Sequence, residues 1–355
     1  MNGTAEPVLP ETRLQEDGRV AGKRIRAPVL SPADPLVREG VLELAGGMAL
    51  HHGGRLTRVC LAWRLVGPHN APVVCALGGI SASRRVCAGA EGWWAEIAGA
   101  ERPLDTHRLR ILSFDYLGGS GESSGPRDGE SFPSVSTYDQ AELLLRLLNH
   151  LGIKALRAIA GGSYGGMVAL AFAERYPERA GRLLVLCAAD RPHPLATAWR
   201  SVQREIVRMA LASGRAAEGL RLARALAMST YRSSEELGAR FAGPPVLESG
   251  RFVFPVERYL LARGGDYAAR HRAESFLCLS ESIDLHRVDA DRIFVPTIAV
   301  AVREDQLVPM ADVRGMVARL GAGRFLEISS IYGHDAFLKE SQQLSGAFAA
   351  ALESN

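Results

Sequence analysis

The chain has 355 residues, 47% of them hydrophobic and 23% charged, which suits two globular units or one large α/β domain with an insertion. Its net charge of +3 is too small to indicate nucleic-acid binding. No run approaches the ~20 apolar residues that span a bilayer, and the N-terminus lacks the apolar segment of a secretion signal. We therefore expect a cytoplasmic protein. Five scattered cysteines without C-x-x-C spacing indicate neither a zinc site nor a disulfide framework, and nothing asks for a metal or a prosthetic group.

Predicted strands and helices alternate along most of the chain. Residues 1–35 mix proline, glycine and charges without a period, and we interpret them as a flexible tail. Short apolar runs indicate strands at VCLAWRLV, PVVCAL, RLRILSFD, ALRAIA, RLLVLCAA, VPTIAVAV and GRFLEIS. Helical spacing appears in YDQAELLLRLLNHLG, YGGMVALAFAERYP and DAFLKESQQLSGAFAAALES. This alternation predicts a mostly parallel sheet flanked by helices, built from residues 36–191 and 289–355.

The alternation stops between residues 192 and 288. This segment has no clear apolar strand run, and its helical pieces include ATAWRSVQREIVRMALA and AAEGLRLARALAMSTY. We therefore predict a helical lid over residues 192–288, inserted into the α/β core.

A serine stands at a sharp corner between a predicted strand and a predicted helix. Residues Gly161 to Gly165 read GGSYG and satisfy G-x-S-x-G, the nucleophile elbow of the α/β-hydrolase fold. Small flanking residues let the turn expose the Ser163 hydroxyl in front of a helix N-terminus. The alternative is a tight turn with a capping serine, but the strand before and the helix after favour a nucleophile.

A serine hydroxyl is a weak nucleophile near neutral pH and needs a base and an orienting acid, which follow it in that fold in the order acid, then histidine. Asp305 comes just after a predicted strand, and His334 comes after another predicted strand and before the last helix. Glu304 competes with Asp305 for the acid role, and we prefer Asp305 because it lies closer to the apolar LVP turn. The sequence thus predicts a Ser163, Asp305 and His334 triad.

Two backbone amides are expected to stabilise the oxyanion. The amide of Tyr164 starts the helix after the nucleophile, and the second donor should come from the glycine-rich VVCALGGIS, at Leu77 or Gly78. An ordinary glycine-rich turn is the alternative for the latter.

With these residues identified, the chain from about Leu56 to Leu352 resembles the homoserine O-acyltransferases of the α/β-hydrolase superfamily. The resemblance rests on the segments GWWAEIAG with LDTHR, DYLGGSGESSGP, GGSYGGMVAL, MSTYRS, LCLSESIDL, EDQLVP and GHDAFL. The elbow and the DQLVP piece are common to the superfamily, whereas the combination of the SSGP, TYRS and GHDAFL pieces is more specific.

The resemblance implies an acyl-CoA co-substrate, homoserine as acceptor, a ping-pong transfer through an acyl-serine, and a homodimer joined through the lid. It implies that Arg232 binds the carboxylate of the amino acid and that Asp335 contacts its amino group, since a zwitterion needs one fixed cation and one fixed anion. Without the resemblance, Arg232 would be a surface arginine of the lid and Asp335 an N-cap of the last helix.

Departures from the family pattern leave the acyl donor open between acetyl-CoA and succinyl-CoA. The segment AADRPHPLATAWRSVQR at the start of the lid differs from that of typical acetyltransferases, and a succinyl carboxylate would want a cation there. Arg191 and Arg200 are the candidates, and we favour succinyl. A serine acceptor, or an esterase or thioesterase with the same triad, stays an alternative, whereas a non-catalytic binding module would not need an intact triad.

Overall fold

The computed structural model describes residues 36–127 and 131–353, so the predicted tail at residues 1–35 lies outside the described residues. Within them one sheet has eight strands: β1 (Val37–Leu44), β2 (Val59–Val66), β3 (Val73–Leu77), β4 (Arg110–Phe114), β5 (Ala158–Gly162), β6 (Leu183–Leu186), β7 (Thr297–Val302) and β8 (Gly323–Ile328). Their order is β1-β2-β4-β3-β5-β6-β7-β8. β2 runs antiparallel to β1 and β4, and the other neighbouring pairs are parallel. The predicted fold class is confirmed.

The central strands are apolar along their whole length because helices cover both faces of the sheet. In β3 the side chains of Val73, Cys75 and Leu77 pack into the core on one face, and those between them pack on the other. β7 alternates in the same way, and all six of its residues are buried. This double burial explains why these strands read as unbroken apolar runs in the sequence.

Ten helices flank or cover the sheet within the described residues. They are α1 (Thr137–His150), α2 (Tyr164–Arg175), α3 (Pro194–Ala212), α4 (Ala216–Tyr231), α5 (Ser234–Phe241), α6 (Pro255–Ala268), α7 (Ala273–Asp284), α8 (Met310–Val317), α9 (Ala336–Lys339) and α10 (Ser341–Leu352). The last predicted helix is two helices, because Glu340 takes non-helical dihedrals (φ −93°, ψ 53°) between α9 and α10. Neither β1 nor α8 was predicted from the sequence.

The predicted lid interval contains α3 to α7, inserted between β6 and β7. These helices share a small apolar core of their own around Val207, Leu220, Tyr267 and Phe276. The interval also holds a hairpin of two three-residue strands, Val246–Glu248 and Arg251–Val253, where the sequence showed no strand. Strands this short carry no readable alternation.

The remaining short elements lie in loops. Two-residue strands pair Met48–Ala49 with Arg55–Leu56 and Ala98–Gly99 with Leu104–Asp105, and single 3-10 turns occupy Gly89–Glu91, Pro177–Arg179, Ala290–Arg292 and Gly333–Asp335. The last of these turns carries His334, so the loops after β5, β7 and β8 bring Ser163, Asp305 and His334 to the carboxyl edge of the parallel strands, where sheets of this kind hold their sites.

Candidate active site

Ser163 occupies a strained corner between β5 and α2. Its φ of 54° and ψ of −120° lie outside the regions that a non-glycine residue normally adopts. A Cβ on Gly161 would stand 2.3 Å from the carbonyl oxygen of Gly165, and one on Gly165 would stand 2.3 Å from that of Leu77. Both distances are far inside van der Waals contact with backbone atoms, so glycine is required on each side of the corner.

The structure brings the three predicted side chains into one hydrogen-bonded row. The Ser163 hydroxyl lies 2.8 Å from Nε2 of His334, and Nδ1 of His334 lies 2.7 Å from Oδ2 of Asp305. His334 and Asp305 are buried. With Nδ1 protonated toward the carboxylate, Nε2 is left to accept the serine proton, which is the arrangement a general base needs.

Backbone amides fix the orientation of the Asp305 carboxylate. Its Oδ1 accepts N–H groups from Leu307 (2.8 Å) and Val308 (3.0 Å), which leaves Oδ2 for His334. The competing acid, Glu304, is turned toward Ser329 and Ser330 instead. Of the two acids that the sequence offered, Asp305 is therefore the one that faces the imidazole.

The surroundings of His334 raise its pKa above the ordinary value. Burial alone would lower the pKa, but the charge of Asp305 and its hydrogen bond outweigh burial, with a further contribution from Asp335. The imidazole is thus a stronger base than a free histidine, and it gains stability as an imidazolium when it takes a proton.

The two predicted oxyanion donors lie beside the corner. Tyr164 starts α2, and the first amides of a helix have no acceptor within it. The Tyr164 side chain is buried, and its hydroxyl lies 2.7 Å from Oγ of Ser282 in α7. Leu77 ends β3, and the carbonyl of the next residue, Gly78, accepts the Gly165 N–H at 2.9 Å. That bond holds the loop after β3 against the elbow.

A cavity of about 240 Å³ opens from Ser163 and His334 between the core and the lid. Apolar and aromatic side chains make most of its walls, and they come from the loop after β3, from α3, α4 and α7, and from α9: Ile80, Trp93, Trp199, Tyr231, Phe276 and Phe337. The polar groups that reach it include Asp335 and two arginines, Arg200 and Arg224. A mostly apolar pocket with a few fixed charges is typical of a site for a small molecule.

Arg232 and Asp335 form an ion pair next to the imidazole. Nη2 of Arg232 lies 3.2 Å from Oδ2 of Asp335, and its Nη1 lies 3.2 Å from both oxygens of Glu236. Nε of Arg232 is buried without a partner among the described residues. Asp335 lines the cavity and makes no capping hydrogen bond to α9, whereas Arg232 lies behind it, outside the cavity lining. Glu236, in the first turn of α5, was not predicted from the sequence as a partner of Arg232, which lies in the non-helical junction between α4 and α5.

The two arginines predicted at the start of the lid have different positions. Arg200 lines the cavity, and its Nη2 lies 2.6 Å from Oδ1 of Asp284. Arg191 is 56% exposed, pairs with Asp190 (Nε–Oδ2 3.5 Å), and lines a separate cavity shared with Arg319. Of the two predicted arginines, only Arg200 therefore lines the cavity that contains Ser163.

One cluster of metal-binding side-chain types occurs among the described residues, and it overlaps the row. Ligand atoms of Cys187, Asp305 and His334 lie within 4.8 Å of one another. Asp305 and His334 are already bonded to each other, and burial followed by the nearby Asp305 charge raises the pKa of the Cys187 thiol well above its ordinary value.

Comparisons with known proteins show the family to which the chain belongs. A family model described as the alpha/beta hydrolase fold matches residues 72–341. Homoserine O-succinyltransferase of Xanthomonas campestris pv. campestris is 42% identical over 327 residues, covering 91% of this chain and 85% of that protein. Homoserine O-acetyltransferase of Thermus thermophilus is 36% identical over 286 residues, covering 74% of this chain and 73% of that protein.

A solved structure supports the same fold. The crystal structure of homoserine O-acetyltransferase from Bacillus anthracis superposes with a TM-score of 0.81, covering 90% of this chain and 98% of that one at 19% identity. The fold and the elbow thus define a member of the α/β-hydrolase class. The chain belongs to the α/β-hydrolase fold family and, within it, to the homoserine O-acyltransferases, which confirms the resemblance read from the sequence. No helix among the described residues has the length and apolar character needed to cross a membrane.

Proposed function

We propose that this protein transfers an acyl group, succinyl rather than acetyl, from acyl-CoA to the hydroxyl of L-homoserine through an acyl-enzyme on Ser163. The product, an O-acyl-homoserine, is a precursor of methionine. The observation that carries the proposal is the Ser163–His334–Asp305 row at the base of a covered cavity, with the Arg232–Asp335 ion pair beside its histidine. The 42% identity to a homoserine O-succinyltransferase supports the acyl group that we favour.

In the first half-reaction, His334 takes the proton of the Ser163 hydroxyl through the 2.8 Å contact, and Oγ attacks the thioester carbonyl. The amides of Tyr164 and Leu77 are the proposed donors to the oxyanion. His334 then returns the proton to the sulfur of the leaving CoA, and the acyl group stays on Ser163. Asp305 remains ionised and stabilises the imidazolium that forms.

In the second half-reaction, homoserine enters with its amino group at Asp335 and its carboxylate at Arg232. The Arg232–Asp335 contact is 3.2 Å long, so the pair must open to admit a zwitterion between its members. Each protein charge keeps a partner of opposite sign in this exchange. Asp335 exchanges the guanidinium of Arg232 for the ammonium of homoserine, and Arg232 exchanges the carboxylate of Asp335 for that of homoserine. His334 removes the proton from the acceptor hydroxyl, which attacks the carbonyl of the acyl-serine. The ester bond to Oγ of Ser163 then breaks, His334 returns the proton to Oγ, and the O-acyl product leaves.

Water competes with the acceptor for the acyl-enzyme, and the apolar cavity walls disfavour hydrolysis. Apolar side chains of the lid, such as Trp199 and Phe276, stand over the nucleophile and limit the water beside it. An acceptor hydroxyl held by two charges is also present at a high effective concentration. A serine acceptor would place its hydroxyl one methylene closer to the ammonium, and the assay described next compares serine with homoserine.

The test follows thiol release from succinyl-CoA and acetyl-CoA with homoserine, with serine and with neither. We expect release to depend on homoserine, and Ser163→Ala to lose at least about 1000-fold in rate. Asp335→Asn should lower kcat/KM for homoserine by about 10- to 150-fold, the range for one lost charged hydrogen bond, while the burst of thiol release that marks acylation persists. Release that is equally fast without any amino acid would favour a thioesterase and contradict the proposal.

We also propose that two copies of the chain associate through their lids. Support comes from large apolar side chains that stand exposed on α3 and on the lid hairpin, among them Val202, Met209, Leu247 and Phe252, which are 54% to 73% exposed. Light scattering should give twice the mass of one chain, and Met209→Glu or Leu247→Glu should reduce it to the mass of a single chain. The mass of one chain in the unmodified protein would contradict the dimer.

A further inference from the structure

Three charged side chains of α3 and α7 form what we call the Arg200–Asp284–Arg204 cluster. Nε and Nη2 of Arg200 donate to Oδ1 of Asp284 at 2.9 and 2.6 Å, and Nη1 of Arg204 donates to Oδ2 at 2.6 Å. All three side chains are nearly buried, with 10% to 12% of each exposed. Among the described residues no second carboxylate pairs with either arginine, so two guanidinium groups share one negative charge.

The cluster therefore carries one positive charge more than its own residues balance. Buried charges are costly unless they are paired, so an excess of this kind favours an anion that arrives from outside. Arg204 also bonds Ser280 and Ser201, and its side chain lies outside the cavity lining. Arg200 is the member that lines the cavity, so the excess charge is accessible to an anion there.

Arg200 and the nucleophile lie in the walls of one cavity, as recognition of a dicarboxylic acyl group would require. Arg200 lines the same cavity as Ser163 and His334. Burial and, to a smaller extent, the charge of Arg200 lower the pKa of His334, although Asp305 and Asp335 raise it by more. An extended succinyl group places its distal carboxylate carbon about 4 Å from the carbonyl carbon, across three C–C bonds of about 1.5 Å. An acetyl group ends in a methyl group and brings no charge to this wall.

We infer that the Arg200–Asp284–Arg204 cluster binds the distal carboxylate of the acyl group and selects succinyl over acetyl. Arg200 makes the contact, and Asp284 holds its guanidinium in place. Arg204 acts as a positioning residue, because it shares the charge of Asp284 and so prevents that carboxylate from neutralising Arg200. The inference rests on the proposed acyl transfer and adds the group of residues that recognises the donor.

The experiment measures kcat/KM for succinyl-CoA and for acetyl-CoA in the full chain, by thiol release, and takes their ratio. We expect the unmodified protein to prefer succinyl-CoA, and Arg200→Met to lower the ratio at least about 10-fold, the smaller end for a lost charged hydrogen bond. Arg204→Met should lower the ratio as well, although its side chain does not line the cavity, and Arg204→Lys should restore part of it because the charge returns.

The matched control is Arg208→Met, which removes an arginine one turn further along α3 that is 49% exposed and pairs with Glu205. Its ratio should stay unchanged. A preference for acetyl-CoA in the unmodified protein, or an unchanged ratio in Arg200→Met, would overturn the inference. So would a loss of the ratio in Arg224→Met alone, since Arg224 is the other arginine in the lining. If homoserine proves not to be the acceptor, thiol release by hydrolysis still gives the ratio, so the two proposals fail separately.

Discussion

Replacing Asp305 by asparagine tests the catalytic row without changing its shape. Oδ1 of Asp305 accepts two backbone N–H groups, from Leu307 and Val308, at 2.8 and 3.0 Å. In Asp305→Asn only the amide oxygen can accept those bonds, so the NH₂ group must take the position of Oδ2, opposite Nδ1 of His334.

That orientation reverses the tautomer of the imidazole. An NH₂ group facing Nδ1 requires Nδ1 to accept, so the ring proton moves to Nε2, the atom that must receive the serine proton. The negative charge that stabilises the imidazolium is lost at the same time. A change of this kind in a serine triad costs about 10⁴ in kcat, or about 5.4 kcal/mol of transition-state stabilisation.

The assay is the initial rate of thiol release from succinyl-CoA with saturating homoserine. The matched control is Glu304→Gln, which changes the neighbouring acid that bonds Ser329 and Ser330 and should stay within a few fold of the unmodified rate. A loss of less than about 10-fold in Asp305→Asn, with folding intact by circular dichroism, would refute the assignment of Asp305 and the tautomer argument behind it.

Two pH measurements extend the predictions. Because the pKa of His334 is raised and the base must be neutral, the acid limb of kcat/KM should have its midpoint above 6.5, and a midpoint at or below 6.5 would contradict the raised value. Burial lowers the pKa of His286, which bonds Thr137 and the Ala189 carbonyl, to about 3, so below pH 6.5 the unfolded chain binds a proton that the folded chain does not. As the pH is lowered from 6.5, this group alone should reduce the free energy of unfolding by about 1.4 kcal/mol per pH unit, which amounts to about 2.7 kcal/mol at pH 4.5. Denaturant curves of His286→Gln should lack that loss, and parallel pH dependences of the two proteins would contradict it.

Local chemistry explains why much of the core could be predicted from the sequence. VCLAWRLV coincides with β2, and the other predicted strands differ from the observed ones only at their ends. Double burial makes the central strands β3, β6 and β7 unbroken apolar runs, whereas the edge strand β8 is only partly buried and carries Arg324 and Glu327. The corner at Ser163 was readable because backbone contacts at 2.3 Å leave no room for side chains on Gly161 or Gly165. Chain order then limited the acid and the base to a few residues after strands.

Charged residues were harder to place, because their positions depend on partners distant in the chain. Arg191 and Arg200 are nine residues apart and look equivalent in the sequence, yet the first pairs with Asp190 outside the cavity and the second pairs with Asp284 in its wall. Asp284 lies 84 residues from Arg200, at the far end of the lid. No local pattern links two such positions, so only the packing of α3 against α7 reveals which arginine reaches the cavity.

The core and the lid contribute different residues to the site. The loops of the core supply Ser163, Asp305 and His334, and the same core is shared with a structure only 19% identical in sequence. The lid supplies Arg200, together with the acid that fixes it, so the charge that we assign to acyl selection belongs to the inserted segment. Substitutions on α3 can then change the preferred acyl group without disturbing the strained corner or the hydrogen-bonded row. A fold of this kind can keep one acyl-transfer mechanism while its lid changes the donor.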